Sequence, residues 1–117
     1  MPDASPRIGT VIVLTRDVAA SRAFYADLLG LPVVSDEFGM VTLDAGVPLL
    51  LHPAEASQPS RESVNLQFNV DGVDALVERV RGSGLTVLSG PRDREYGVRE
   101  AAVLDPDGYT VFLAQPL

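Results

Sequence analysis

The chain repeats itself. Residues 10–17 read as a β-strand, Val18 to Leu29 as a helix, Gly30 as its stop, and Leu31-Pro32-Val33-Val34 as the start of a second strand. The second half follows the same order: a strand over residues 64–71, a helical stripe of Val73, Leu76, Val77 and Val80, a stop at Gly84, and a strand over Leu85-Thr86-Val87-Leu88. Asp17 and Asp71 stand 54 positions apart, and so do Gly30 and Gly84. Repetition in one register constrains a fold strongly, because each copy has to be the same supersecondary unit. The strands are read from β-branched residues, the helices from apolar residues three and four apart. Asp17 and Asp71 suit helix N-caps, whose carboxylates accept from first-turn N–H groups. Gly30 and Gly84 suit the left-handed residue that ends a helix.

The ends of the halves match as well. Leu43-Asp44-Ala45-Gly46 leads to a strand from Pro48 to His52, and Leu104-Asp105-Pro106-Asp107-Gly108 leads to one from Thr110 to Gln115. In Asp-Pro-Asp-Gly the proline sets φ and the glycine supplies a positive one, which makes a tight turn. Gly46 and Gly108 are 62 positions apart, so the second half carries about eight extra residues, assigned to a polar loop over Ser89 to Arg99. The expectation is an α+β fold of two tandem βαβββ modules, each a four-stranded sheet with one helix. Module one spans residues 8–53, a linker 54–62 and module two 63–116, all within one domain of 1–117. A helix covers one face of each sheet and leaves a concave face open. Two such faces together form a groove.

Composition removes several chemistries. There is no cysteine, so disulfides, thiolate metal sites and cysteine nucleophiles are excluded, and the single histidine rules out a His-pair metal site. Acidic residues outnumber basic ones 16 to 9, a net charge of −7, and only Arg92, Arg94 and Arg99 lie close together. A nucleic-acid partner needs a dense basic patch, so none is expected. An acidic field favours a cationic ligand, or serves solubility alone. No apolar run reaches the ~18 residues of a membrane span, and Met1 to Pro6 has no secretion-signal pattern. The expected location is the cytoplasm, with no membrane contact. Gly-x-Gly-x-x-Gly, phosphate-loop and Gly-x-Ser-x-Gly motifs are missing, and Ser21 has no histidine near it in sequence.

With these motifs in place the chain resembles the vicinal oxygen chelate superfamily of glyoxalases, extradiol dioxygenases, and fosfomycin- and bleomycin-resistance proteins. The resemblance runs from Ile8 to Gln115. It is carried by Asp17-x-x-x-Ser21-x-x-Phe24-Tyr25-x-x-x-Leu29-Gly30-Leu31, Val70-Asp71-Gly72-Val73-Asp74, Tyr96-Gly97-Val98-Arg99 and Leu104-Asp105-Pro106-Asp107-Gly108-Tyr109. In metal-dependent members four ligands come from the first and last strands of the modules. The resemblance places Thr10, Leu50, Asn65 and Phe112 at those positions. Leu and Phe cannot ligate, and neutral Thr and Asn hold transition metals weakly. The chain therefore looks like the metal-free, bleomycin-resistance-like branch, for which the resemblance implies no cofactor, a homodimer and possible exchange of the arm Met1 to Arg7. Whether the modules pair within one chain or between two stays open.

Strand alternation maps the groove. Asn65, Gln67 and Asn69 share one face, either a ligand-facing amide row or a solvated strand surface. Leu50 and His52 share another, as do Thr110, Phe112 and Ala114, with Ile12 and Leu14 beside Thr10. His52 is a surface residue or an acid–base group. Phe38 and Met40, on a hairpin, are core or a stacking surface. Tyr96 stacks on a ligand or anchors its loop, while Arg99 and Glu100 pair with each other or with ligand charges. A mainly apolar hollow with a few amide groups is the usual make-up of a small-molecule site. The reading is a protein that sequesters an antibiotic or related natural product, planar or cationic, with no catalytic residue. The alternatives are a glyoxalase-like lyase or isomerase, or another enzyme using His52, Glu100 and Tyr96, or a regulatory role in a biosynthetic pathway.

Overall fold

The computed structural model describes residues 8–55 and 65–117. The arm Met1 to Arg7 and most of the linker lie outside the described residues. Module one consists of β1 (Val11–Thr15), helix α1 (Val18–Arg22), β2 (Val33–Glu37), β3 (Met40–Asp44) and β4 (Pro48–Pro53). Module two consists of β5 (Leu66–Asn69), helix α2 (Val73–Gly82), β6 (Val87–Asp93), β7 (Val98–Leu104) and β8 (Thr110–Pro116). The sheets have matching strand orders, β1-β4-β3-β2 and β5-β8-β7-β6. In each, the first strand runs parallel to the last and the remaining pairs are antiparallel. This is the α+β fold of two tandem βαβββ modules.

Alternation buries one face of each sheet against its helix. Val13, Val41, Leu43, Leu49 and Leu51 form that face in module one, and Ala101, Val103, Val111 and Leu113 in module two. Phe24 and Tyr25 close the first core, their rings edge-on at 4.7 Å; Val73, Leu76, Val77 and Val80 close the second. Each fully buried aliphatic side chain contributes roughly 1.5–3 kcal/mol over an exposed one.

The helices break the repeat. Asp17 caps α1 as expected, its Oδ1 accepting from the Ala20 N–H at 3.0 Å. After Arg22 the helix widens into a π-helical stretch, Ala23–Leu28, in which the Leu29 N–H donates to the Phe24 carbonyl. Asp71, expected to cap α2, does not. Gly72 takes the cap position at φ 66°, and the Gln115 side chain from β8 accepts from the Val73 N–H at 2.8 Å. A left-handed cap suits glycine, and the longer amide reaches across from the sheet to do the aspartate's work. Residues 89–99, expected as a polar loop, are mostly β6 and the start of β7. β6 is an edge strand with both faces largely wet, and its register shifts twice between Val87 and Arg92, so it shows no apolar alternation.

Candidate functional site

Cross-strand register lays out the open face of each sheet. In module one Ile12 pairs with Leu50 and Leu14 with His52, while Thr42 joins Leu50 from the other side. Ile12 is 58% exposed and Leu14 is 44% exposed. In module two one row reads Gln67, Phe112, Ala102, Ser89, and the next reads Asn69, Ala114, Glu100, Arg92. Ala102 and Ala114 are buried while Phe112 is half-buried and Gln67 and Asn69 are exposed, so the alanines form a recessed floor between longer side chains. Asn65 lies just ahead of β5 and shares the parity of Gln67.

The hairpin residues divide. Phe38 is 89% exposed and adopts φ 56°, next to Gly39 at φ 74°. It is therefore no part of the core, and only the surface reading survives. Met40 is half-buried on the open face, opposite Glu37. His52 is exposed, its Nδ1 2.9 Å from the carbonyl oxygen of its neighbour Pro53. Among the described residues no carboxylate hydrogen-bonds to it.

Arg99 and Glu100 do not pair with each other, because consecutive strand residues point to opposite faces. Arg99 turns to the helix face, where Nε donates to Asp74 at 2.9 Å and Nη1 to Asp93 at 3.1 Å. That placement removes it from the open face. Glu100 turns to the open face, is only 8% exposed, and accepts from the Tyr96 hydroxyl at 2.9 Å. This hydrogen bond, with lesser desolvation, raises the Tyr96 pKa, so the phenol stays neutral and donating. Arg94 Nε stands 3.6 Å from a Glu100 carboxylate oxygen and is buried with no hydrogen-bond partner among the described residues.

The sequence reading missed a cluster on the other side of the sheets. Asp105 is buried in the turn after β7; one oxygen accepts from the Asp107 and Tyr109 N–H groups, both at 2.9 Å, the other from the Tyr25 hydroxyl at 2.7 Å. Asp107 accepts from the Arg16 N–H at 3.0 Å and the Ser21 hydroxyl at 3.2 Å. Ser21 in turn shares a hydrogen bond with Thr15 at 2.7 Å. Burial holds the Asp105 carboxyl above its ordinary value, and burial with the neighbouring carboxylates pushes Tyr25 well up. These bonds join the modules. Tyr109 adds a hydrogen bond to the Leu14 carbonyl, and Arg79 one to that of Leu28. A cleft of about 480 Å³ opens beside this seam, lined by Leu28, Gly30, Asp71, Gly72 and Arg79. Among the described residues no hydrogen bond or ion pair joins one open face to the other.

The four positions at which relatives would ligate a metal do not fit one. Leu50 and Phe112 lie on the open faces but have no donor atom, and Thr10 and Asn65, just ahead of β1 and β5, offer only neutral oxygens. Among the described residues no three of His, Asp and Glu gather where an ion could be held. No helix among them is long and apolar enough to cross a membrane.

Comparison with known proteins agrees with this architecture. No curated protein matches the sequence. A protein of unknown function from Agrobacterium tumefaciens superposes with a TM-score of 0.80 at 24% identity, over 98% of each chain, which speaks to the fold alone. A glyoxalase/bleomycin resistance protein/dioxygenase family enzyme from Burkholderia phytofirmans is similar with a TM-score of 0.79 at 26% identity, over 93% of this chain and 98% of that one. TnmS3, an antibiotic binding protein from Streptomyces, gives 0.73 at 25% identity, over 99% of this chain and all of that one. The family model for the Glyoxalase/Bleomycin resistance protein/Dioxygenase superfamily matches residues 7–113, and the chain belongs to that superfamily.

Proposed function

We propose that this protein binds a small, largely apolar molecule on the open sheet faces and sequesters it with no bond made or broken. The observation that carries the reading is the side chains on those faces. Ile12 and Leu14 lie beside Leu50 and His52 on one open face, substantially exposed, and Phe112 lies beside the amide of Gln67 on the other, with Asn69 in the next row. Contiguous exposed apolar surface marks an interaction site, and a few hydrogen-bonding groups on it fix orientation. Phe38 stands at the hairpin tip as a stacking group. Asn65, Met40, His52, Tyr96 and Glu100 complete the proposed binding set. The likeness to an antibiotic binding protein supports an antibiotic or related natural product as ligand, bound in the cytoplasm without a metal.

A second copy of the chain completes the groove. The modules of one chain are already joined through Tyr25, Ser21, Asp105 and Asp107 on the helix side, which leaves both open faces available to a homodimer partner.

The test is calorimetric titration of metal-stripped protein with aromatic antibiotics, with recovery of the ligand afterwards. Saturable binding, one ligand per groove and recovered unchanged, supports sequestration. Ligand converted in excess over protein, or a saturable melting-temperature rise with a divalent transition metal, sinks the reading.

A further inference from the structure

We propose that the open face of module two carries an oxyanion subsite, formed by the guanidinium groups of Arg92 and Arg94, which takes the carboxylate, sulfonate or phosphate end of an otherwise aromatic ligand. The proposal rests on the groove reading above and adds the charge of what the groove holds.

The three neighbouring arginines have different fates. Arg99 is committed to Asp74 and Asp93 on the helix face. Arg92 stands opposite Glu100 in the β6–β7 register and is exposed, and its side chain has no hydrogen bond or ion pair among the described residues. Arg94 is half-buried, its Nε in a long ion pair with Glu100 at 3.6 Å and without a hydrogen bond among the described residues. The Nε is enclosed and faces Glu100, while the Arg94 side chain as a whole is 33% exposed, so an incoming acceptor meets its outer part.

Depth decides the sign of the subsite. The Glu100 carboxylate is the buried layer, covered by the Tyr96 hydroxyl, and the exposed Arg92 guanidinium is the outer one. Glu100 is already paired with Arg94, so Arg92 is the exposed guanidinium in this corner whose side chain has no carboxylate partner among the described residues, on a chain whose net charge is −7. A ligand cation seeking Glu100 meets the guanidiniums first, whereas an oxyanion meets two planar forks suited to bidentate pairing. Phe112 and the floor of Ala102 and Ala114 adjoin this corner, so the apolar remainder of the ligand has a surface to lie on. The expectation of a cationic ligand, drawn from net charge, gives way here to the local arrangement.

Two dyes of nearly the same shape test this by fluorescence titration: anionic 8-anilinonaphthalene-1-sulfonate and neutral N-phenyl-1-naphthylamine. The expected result is that the sulfonate binds about ten-fold more tightly, the value of one charge-assisted contact. Arg92→Gln, at an exposed side chain with no structural partner, and Arg92→Gln with Arg94→Gln should erase that margin and leave the neutral dye unchanged. Added salt should likewise weaken only the sulfonate. If the neutral dye binds as well as the sulfonate, or the substitutions leave the sulfonate unaffected, the oxyanion subsite is wrong while the groove stands. If the wild-type protein binds neither dye, the groove reading falls with it.

Discussion

At the seam between the modules, Thr15, Ser21, Tyr25, Asp105 and Asp107 are buried and hydrogen-bonded to one another or to backbone. On the open faces isoleucine and leucine meet water, and an arginine Nε has no hydrogen-bond partner among the described residues. The usual placing of polar outside and apolar inside is thus reversed at both surfaces. A buried polar cluster is tolerable only when its members are satisfied, as they are at the seam. An exposed apolar face is tolerable only at modest size, and otherwise awaits an occupant. The contrast separates a contact that is finished within one chain from a surface that is not.

Breaking the seam should produce the largest effect. Asp105→Ala strands the Tyr25 hydroxyl and two backbone N–H groups in a buried site, and a loss of about 3–4 kcal/mol is expected. Urea unfolding reads this as a lower midpoint at unchanged slope. A loss under about 1 kcal/mol would mean that water replaces the carboxylate, and that the seam is not a sealed polar contact. Tyr25→Phe keeps the ring against Phe24 and removes only the hydroxyl, so it should cost about 1–2 kcal/mol in the same assay.

Titration sharpens the same point. The folded-state pKa of Asp105 is raised above 3.8, chiefly by burial. The native state therefore holds its proton longer than the unfolded state does, and the contribution of this group is full below 3.8 and lost as pH rises through the folded value. The net slope across acid pH includes every other carboxylate. The specific expectation is that the difference in unfolding free energy between wild type and Asp105→Asn changes in that direction just above pH 3.8. Parallel curves for the two proteins across that range would show that Asp105 titrates as a wet carboxylate.

These long-range contacts were the part that a single sequence hides. The repeat was legible because Gly30 and Gly84 both adopt positive φ, 85° and 87°, at the ends of equivalent helices. The faces of Leu50 and Phe112 followed from parity along clean strands. Tyr25 and Asp105 lie 80 positions apart, and nothing in local periodicity reports such a pair. Repeat symmetry suggests a cap at Asp71, but Gln115, on another strand, supplies it. Arg99 follows a polar edge strand and turn that read as loop, so strand parity does not carry across to it from sequence. The polar edge strand concealed the split between Arg92 and Arg94 on one face and Arg99 on the other.

The smallest expected change in stability falls on the open side, at Phe38. β2 ends at Glu37 and β3 begins at Met40, so Phe38 and Gly39 are the whole turn, both with positive φ. Two-residue hairpins of this kind strongly prefer Asn-Gly, because asparagine tolerates the left-handed region far better than an aromatic residue does. The ring is almost fully exposed, so replacing it forfeits little buried surface. Phe38→Asn should therefore stabilise the folded chain by about 0.5–1 kcal/mol, read as a higher urea midpoint. A position where a strained, exposed aromatic is kept against an easier alternative is one where strain points to function. The same variant should bind N-phenyl-1-naphthylamine several-fold more weakly, having lost its stacking ring. Gain in stability with loss of binding would place Phe38 with the unfinished surface. A stable variant that binds the dye undiminished would confine the groove to the sheets, and leave the hairpin tip as a turn with an awkward residue in it.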